Sequence, residues 1–159
     1  MFQKIKKTNF PPQGKPVLIW DGTCGFCKYW VTRWKMITKD AIVYKTYQDA
    51  NKDFPDIPLK EFKKASRLIE LDGSIYSGPD SAYRCYTYSD SIKWNAHRWY
   101  VNNRSFQRLS DHGYNFIAKH RPEMFKLTKL LFGPNPTDFK PYWVFYILAI
   151  ILLVFAVFQ

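Results

Sequence analysis

The sequence predicts an α/β protein: a mixed sheet covered by helices, a helical C-terminal extension, and one C-terminal transmembrane helix. Three observations carry this reading. A strand, a helix and a second strand follow one another within about thirty residues from Val17, the length of a βαβ unit. Two short strand-like runs flank Asp72-Gly73, a hairpin turn signal. The run from Tyr142 to Phe158 contains no charge, Gly or Pro.

Residues 1–16 read as a leader, basic at first and then punctuated by Pro11-Pro12, Gly14 and Pro16 without periodicity. Val17-Leu18-Ile19-Trp20 is a continuous apolar run, as expected of a strand covered on both faces. Asp21-Gly22-Thr23 breaks it. Phe26, Trp30, Trp34 and Ile37 then recur at helical spacing, with Lys28, Arg33, Lys35 and Lys39 on other faces. Ala41–Tyr47 is rich in β-branched and aromatic residues and reads as the second strand, paired parallel to the first through a right-handed crossover. Gln48–Lys64 is polar and broken by Pro55 and Pro58, with a helix expected near Leu59–Ala65. Arg67–Leu71 and Ser74–Ser77 are the hairpin strands, and Gly78-Pro79-Asp80 opens a helix running to about Tyr88. Residues 91–132 look helical in pieces, including Gly113–Leu131 interrupted at Pro122. The expected organisation is thus a leader over 1–16, a domain over 17–132, a linker over 133–141 and a transmembrane helix over 142–158.

As a helix, the seventeen residues of that last run extend roughly 25 Å, the short end of the range that spans a hydrocarbon core of about 30 Å. Apolar residues occupy every face, and Tyr142, Trp143 and Tyr146 cluster where amphipathic rings favour the headgroup level. A buried core helix, a dimerisation helix and a lipid-anchor signal are the weaker alternatives. Lys119, Arg121, Lys126, Lys129 and Lys140 precede the run and only Gln159 follows it, so the preceding residues are expected on the cytoplasmic side. Membrane lipid is then an expected partner through residues 142–158.

Composition excludes other classes. The chain has 159 residues, 24 Lys+Arg against 13 Asp+Glu, a net charge of +11, and 47% hydrophobic residues, too apolar for a disordered chain. Three cysteines do not make a disulfide-stapled scaffold. No apolar stretch follows the basic first residues, so no secretory signal is expected. The basic residues are dispersed and form no recognised binding motif, so nucleic acid is not an expected partner.

Chemistry concentrates at Cys24-Gly25-Phe26-Cys27, which directly follows the first strand and opens the first helix. Two thiols one helical turn apart can close a disulfide. A thiol at a helix N-terminus faces unpaired amides and the positive end of the dipole, both of which favour the thiolate. Cys24, at the outer end, is therefore the expected nucleophile, and Cys27 the thiol that attacks the mixed disulfide. Gly22 and Gly25 leave room for a partner's backbone. Asp21 is expected either to accept a proton from Cys27 as general base or to act as a turn residue or cap, and its charge would raise the thiol pKa. A structural zinc site is the rival use of CxxC, but Cys85, His97, His112 and His120 offer no second ligand pair, and no metal is expected. An inert CxxC is the remaining alternative. Cys85 falls on one helical face with Ala82 and Tyr86, as a core thiol would. The histidines suit solvated or capping roles, and Trp94, Trp99, Tyr100 and Phe106 suit packing. No bound cofactor is expected.

The segment Leu18-Ile19-Trp20-Asp21-Gly22-Thr23-Cys24-Gly25-Phe26-Cys27 closely resembles the signature of the DCC family, named for the Asp and two Cys of its D-x-x-C-x-x-C motif. Leu71-Asp72-Gly73-Ser74-Ile75-Tyr76-Ser77-Gly78 is similar to that family's turn and strand before a helix. Tyr114-x-x-Ile117-Ala118-x-x-Arg121 resembles its C-terminal pattern. The resemblance covers roughly residues 16–121. It implies a thioredoxin-like fold and thiol-disulfide oxidoreductase activity, with Cys24 and Cys27 as the redox pair and Asp21 as the associated acid. Thioredoxins proper place a cis-Pro before the third strand; here Ala65-Ser66 stands there. The expected function is exchange of a Cys24–Cys27 dithiol with protein or small-molecule thiols and disulfides near a membrane. The alternative is a non-catalytic membrane-anchored adaptor presenting a basic, aromatic surface.

Overall fold

The computed structural model describes residues 2–90, 95–138 and 140–157. Its sheet has four strands: β1 (Val17–Trp20), β2 (Val43–Thr46), β3 (Arg67–Ile69) and β4 (Ile75–Ser77), in the spatial order β2-β1-β3-β4. β1 and β2 pair in parallel, Val17 opposite Val43, across the helix α1 (Gly25–Thr38). β3 lies antiparallel to both β1 and β4. The mixed α/β sheet covered by helices is therefore present.

Alternation along the strands divides the core in two. Val17 and Ile19 face Ala50, Phe54, Ile57 and Phe62, delivered by α2 (Tyr47–Ala50), α3 (Leu59–Lys64) and the loop between them. Leu18 faces Val31 of α1 and Cys85 of α4 (Pro79–Tyr86), with Trp20, Trp34 and Tyr44 packed alongside. The short α2, inside a stretch that reads as polar, is the element without a sequence signal; its buried residue is Ala50.

Residues before β1 pack on the domain. Phe2 is 7% exposed and its ring fills the space beside Gly78, whose φ of +62° is open to glycine at little cost. Lys7 bridges Ser74, and the Thr8 hydroxyl donates to Asp56 at 2.7 Å. After α4 come α5 (Ala96–Asn102), α6 (Arg104–Lys119) and α7 (Arg121–Phe132). Asn95 and Asn103 cap α5 and α6, accepting from the Arg98 and Phe106 amides at 2.9 Å each. Pro122 lies in the first turn of α7, where a missing N–H costs no intrahelical bond.

The membrane expectation is overturned. The apolar run forms α8 (Tyr142–Val157), sixteen residues, and no helix among the described residues is long and apolar enough to cross a membrane. At ~1.5 Å per residue α8 rises about 24 Å, short of a core about 30 Å thick. Phe158, the expected last residue of the span, lies outside the described residues. The single-pass anchor, the lipid partner through 142–158 and the orientation drawn from flanking charge fall together. α8 instead returns to α7, with the Tyr146 hydroxyl donating to the Leu130 carbonyl at 3.3 Å.

Candidate functional site

The site forms where β1 ends and α1 begins. Asp21, Gly22 and Thr23 turn the chain, closed by the Cys24 amide donating to the Asp21 carbonyl at 3.2 Å. Cys24 is the N-cap of α1. In place of the usual hydroxyl or carboxylate, its sulfur accepts from the Cys27 amide at 3.2 Å. The Cys27 thiol donates to Cys24 Sγ, with the sulfurs 2.6 Å apart.

This arrangement splits the two thiols. The Cys24 pKa is pulled from 9.0 to about 6, first by the Cys27 thiol hydrogen bond, then by the Cys27 amide and the charge of Arg121; burial and Asp21 oppose. The Cys27 thiol is pushed upward, because it is the donor in that bond, because it is buried, and because its partner is an anion. Near neutral pH the pair therefore holds one thiolate at the outer position and one thiol at the inner.

Arg121, at the start of α7, enters from 100 residues away and donates from Nη1 to Asp21 Oδ2 at 2.9 Å. The other oxygen of Asp21 accepts from the Thr23 amide, the Thr23 hydroxyl at 2.8 Å and the Gln48 amide group. Burial alone would raise the Asp21 carboxyl; the bonds from Thr23 and Gln48, with Arg121, outweigh it and hold it below the usual carboxylate range. Space at the two glycines is taken by the chain itself. A Cβ at Gly22 would come 2.7 Å from the Thr46 methyl, and one at Gly25 3.1 Å from the Phe125 ring.

Two recesses meet at the dithiol. A shallow one of about 470 Å³ contains Cys24 and is bordered by Thr23, Lys119 and Arg121. A deeper cavity of about 480 Å³ has Cys27 in its wall and is lined mainly by apolar side chains, among them Trp30, Trp34, Leu127 and Leu131. Asp21, Phe26 and Arg121 belong to both. The amide of Ser66, in the wall of the deeper cavity, donates to the Tyr114 hydroxyl at 3.0 Å.

The remaining sequence candidates lie elsewhere. Cys85 is fully buried, and its thiol is pushed upward by that burial. His97 Nδ1 sits 2.7 Å from Asp80, His120 caps the end of α6, and His112 is exposed. Tyr100 is buried and donates to Asp111 at 2.6 Å, Phe106 stacks on Tyr83, and Trp99 is exposed; Trp94 lies outside the described residues. Among the described residues no three His, Cys, Asp or Glu side chains gather as metal ligands. Spacing reasoning finds the two cysteines and Asp21 but gives Arg121 no role; its only sequence signal is the last position of the C-terminal pattern.

A family model described as DCC1-like thiol-disulfide oxidoreductase matches residues 18–127, more than half of the chain and inclusive of Asp21, Cys24, Cys27 and Arg121. No curated protein and no solved structure matches the chain.

Proposed function

The chain belongs to the DCC1-like thiol-disulfide oxidoreductase family, and from that premise we propose that Cys24 and Cys27 are its redox pair, exchanging a dithiol and a disulfide with protein or small-molecule partners. The observation that carries the reading is the capping sulfur of Cys24, held at the first amides of α1 with the Cys27 thiol 2.6 Å away. In the reducing direction the Cys24 thiolate attacks a partner disulfide. A Cys24–partner bond forms, the partner's S–S bond breaks, and the electron pair leaves with the released thiolate. Loss of the negative charge on Cys24 removes one cause that holds the proton on Cys27. Cys27 then ionises, attacks Cys24 Sγ and releases the second partner thiol.

Asp21 has two parts in this reading. As an ionised carboxylate it is available to take the Cys27 proton, though its low pKa makes it a weak acceptor. It also orients Arg121, whose cation favours the thiolate form of both cysteines.

The test is a pair of substitutions in the full chain. Cys24→Ser should reduce turnover of a small disulfide to the uncatalysed rate. Cys27→Ser should still react once and then accumulate mixed disulfides visible by mass spectrometry. Unchanged turnover in both variants would remove the reading.

A further inference from the structure

We propose that the partner of this site is a low-molecular-weight thiol or disulfide with an apolar arm, an alkyl chain or a single ring, that lies in the cavity beside Cys27 while its sulfur meets Cys24. The proposal rests on the dithiol exchange argued above and adds the substrate class.

The cavity's volume of about 480 Å³ lies within the range of small-molecule sites. Its wall carries Trp30, Trp34, Leu127 and Leu131, so an alkyl or aromatic group there is transferred from water to an apolar surface. Its lining shares Asp21, Phe26 and Arg121 with that of the shallow recess, so the two adjoin. A substrate with its sulfur at Cys24 and its arm past Phe26 would occupy both. The thiolate expelled from Cys24's partner forms in the recess lined by Asp21, Lys119 and Arg121; Arg121 is paired with Asp21, so Lys119 is the cation that favours it.

Two details separate a small molecule from an extended peptide. Ser66 precedes β3 in the cavity wall, and its amide is already bonded to the Tyr114 hydroxyl, so it is not free to pair with an incoming peptide backbone. Gly113 lies inside α6, where glycine is disfavoured relative to alanine. Packing does not require it, since a Cβ there would meet nothing within 4 Å. Gly113 shares its helical face with Ser110, Tyr114 and Ile117, all in the cavity lining, so the missing side chain leaves that wall open.

The step balances as ordinary exchange. The Cys24 thiolate attacks the sulfur bearing the apolar arm, R–S–S–R′, forming Cys24–S–R and expelling R′–S⁻. Cys27 gives up its proton and attacks Cys24 Sγ; the Cys24–Cys27 bond forms, and R–S⁻ leaves and is protonated. Two electrons pass from the protein dithiol to the substrate, and one disulfide replaces another.

The probes are mixed disulfides of 5-thio-2-nitrobenzoate with methyl, butyl and hexyl thiols, offered to the reduced full chain, with nitrothiobenzoate release read by absorbance. Each rate constant is divided by that of 2-mercaptoethanol with the same probe. The ratio should rise about two- to fourfold per added methylene, the increment of a buried CH₂. In Gly113→Phe, and independently in Leu127→Glu, the slope should collapse toward one. A flat profile in the unsubstituted chain, or an unaltered slope in both variants, overturns the apolar substrate while rapid release from the methyl probe leaves dithiol exchange standing. Release no faster than in Cys24→Ser from every probe would instead remove the exchange reading and this proposal with it.

Discussion

Two opposite charges bear on the outer sulfur. Asp21 disfavours the thiolate and Arg121 favours it, yet the two are bonded to each other at 2.9 Å, so each partly cancels the other's field. Substituting Arg121 by Met leaves the Asp21 charge uncompensated and removes a cation from the thiolate. The Cys24 pKa should then rise from about 6 by roughly one unit, the size expected of a nearby charge. Because the thiolate is the reactive form, alkylation of the unsubstituted chain should fall as pH drops through about 6, and in Arg121→Met through a midpoint near 7. An iodoacetamide pH profile measures both midpoints; coincident profiles would mean that Arg121 contributes nothing. The cysteines and Asp21 are legible in the sequence because seven consecutive positions hold them at a strand-to-helix junction. Arg121 is one of 24 basic residues, and no local pattern distinguishes the one that folding carries back across 100 residues.

Helix termini explain which elements could be read and which could not. α4 begins at a Gly-Pro boundary and α7 has Pro122 in its first turn, and both are marked by residue types whose backbone limits are local. The division between α5 and α6 is marked more weakly, by Asn103, whose side chain caps α6 at the Phe106 amide while its own amide closes the end of α5 on the Trp99 carbonyl. Asn103→Ala should destabilise the protein by about 1 kcal/mol, as loss of an N-cap does, with urea unfolding as the measurement and no change in Cys24 alkylation. An effect near zero would place the cap outside the cooperative unit. The strands are legible from the apolar run Val17–Trp20, from the β-branched and aromatic residues of Ala41–Tyr47 and from the turn signal Asp72-Gly73. Helix α2 is not, since four residues carry no period. For α8, composition marks an apolar helix but not a membrane span: hydropathy registers what residues avoid, whereas the sixteen residues of the folded element determine what it can cross.

At the scale of the molecule, the second half of the chain closes over the first. Phe125 abuts Gly25, Arg121 reaches Asp21, and the Tyr29 hydroxyl donates to the Gly133 carbonyl at 2.9 Å, so one cation that lowers the Cys24 pKa arrives only with folding, beside the Cys27 bonds of the formed helix. That links the dithiol to stability with a definite sign. Between about pH 6 and 9 Cys24 is ionised when folded and protonated when unfolded, so the unfolded state binds more protons and stability rises with pH. Above 9 the sign reverses. An unfolded Cys27 then releases its proton while the folded one, with its raised pKa, retains it. The reduced protein should accordingly be most stable, relative to the oxidised, near pH 9. The slope below that maximum cannot exceed ~1.4 kcal/mol per pH unit for one proton, and solvent screening of a half-buried thiol makes it smaller. The oxidised protein has neither thiol, so subtracting its urea unfolding free energies from those of the reduced protein cancels the groups that do not interact with these two. A difference that climbs from pH 6 to 9 and then declines is the expected result. Parallel curves would mean that folding does not acidify Cys24, leaving the attack on a partner disulfide no faster than that of an ordinary cysteine.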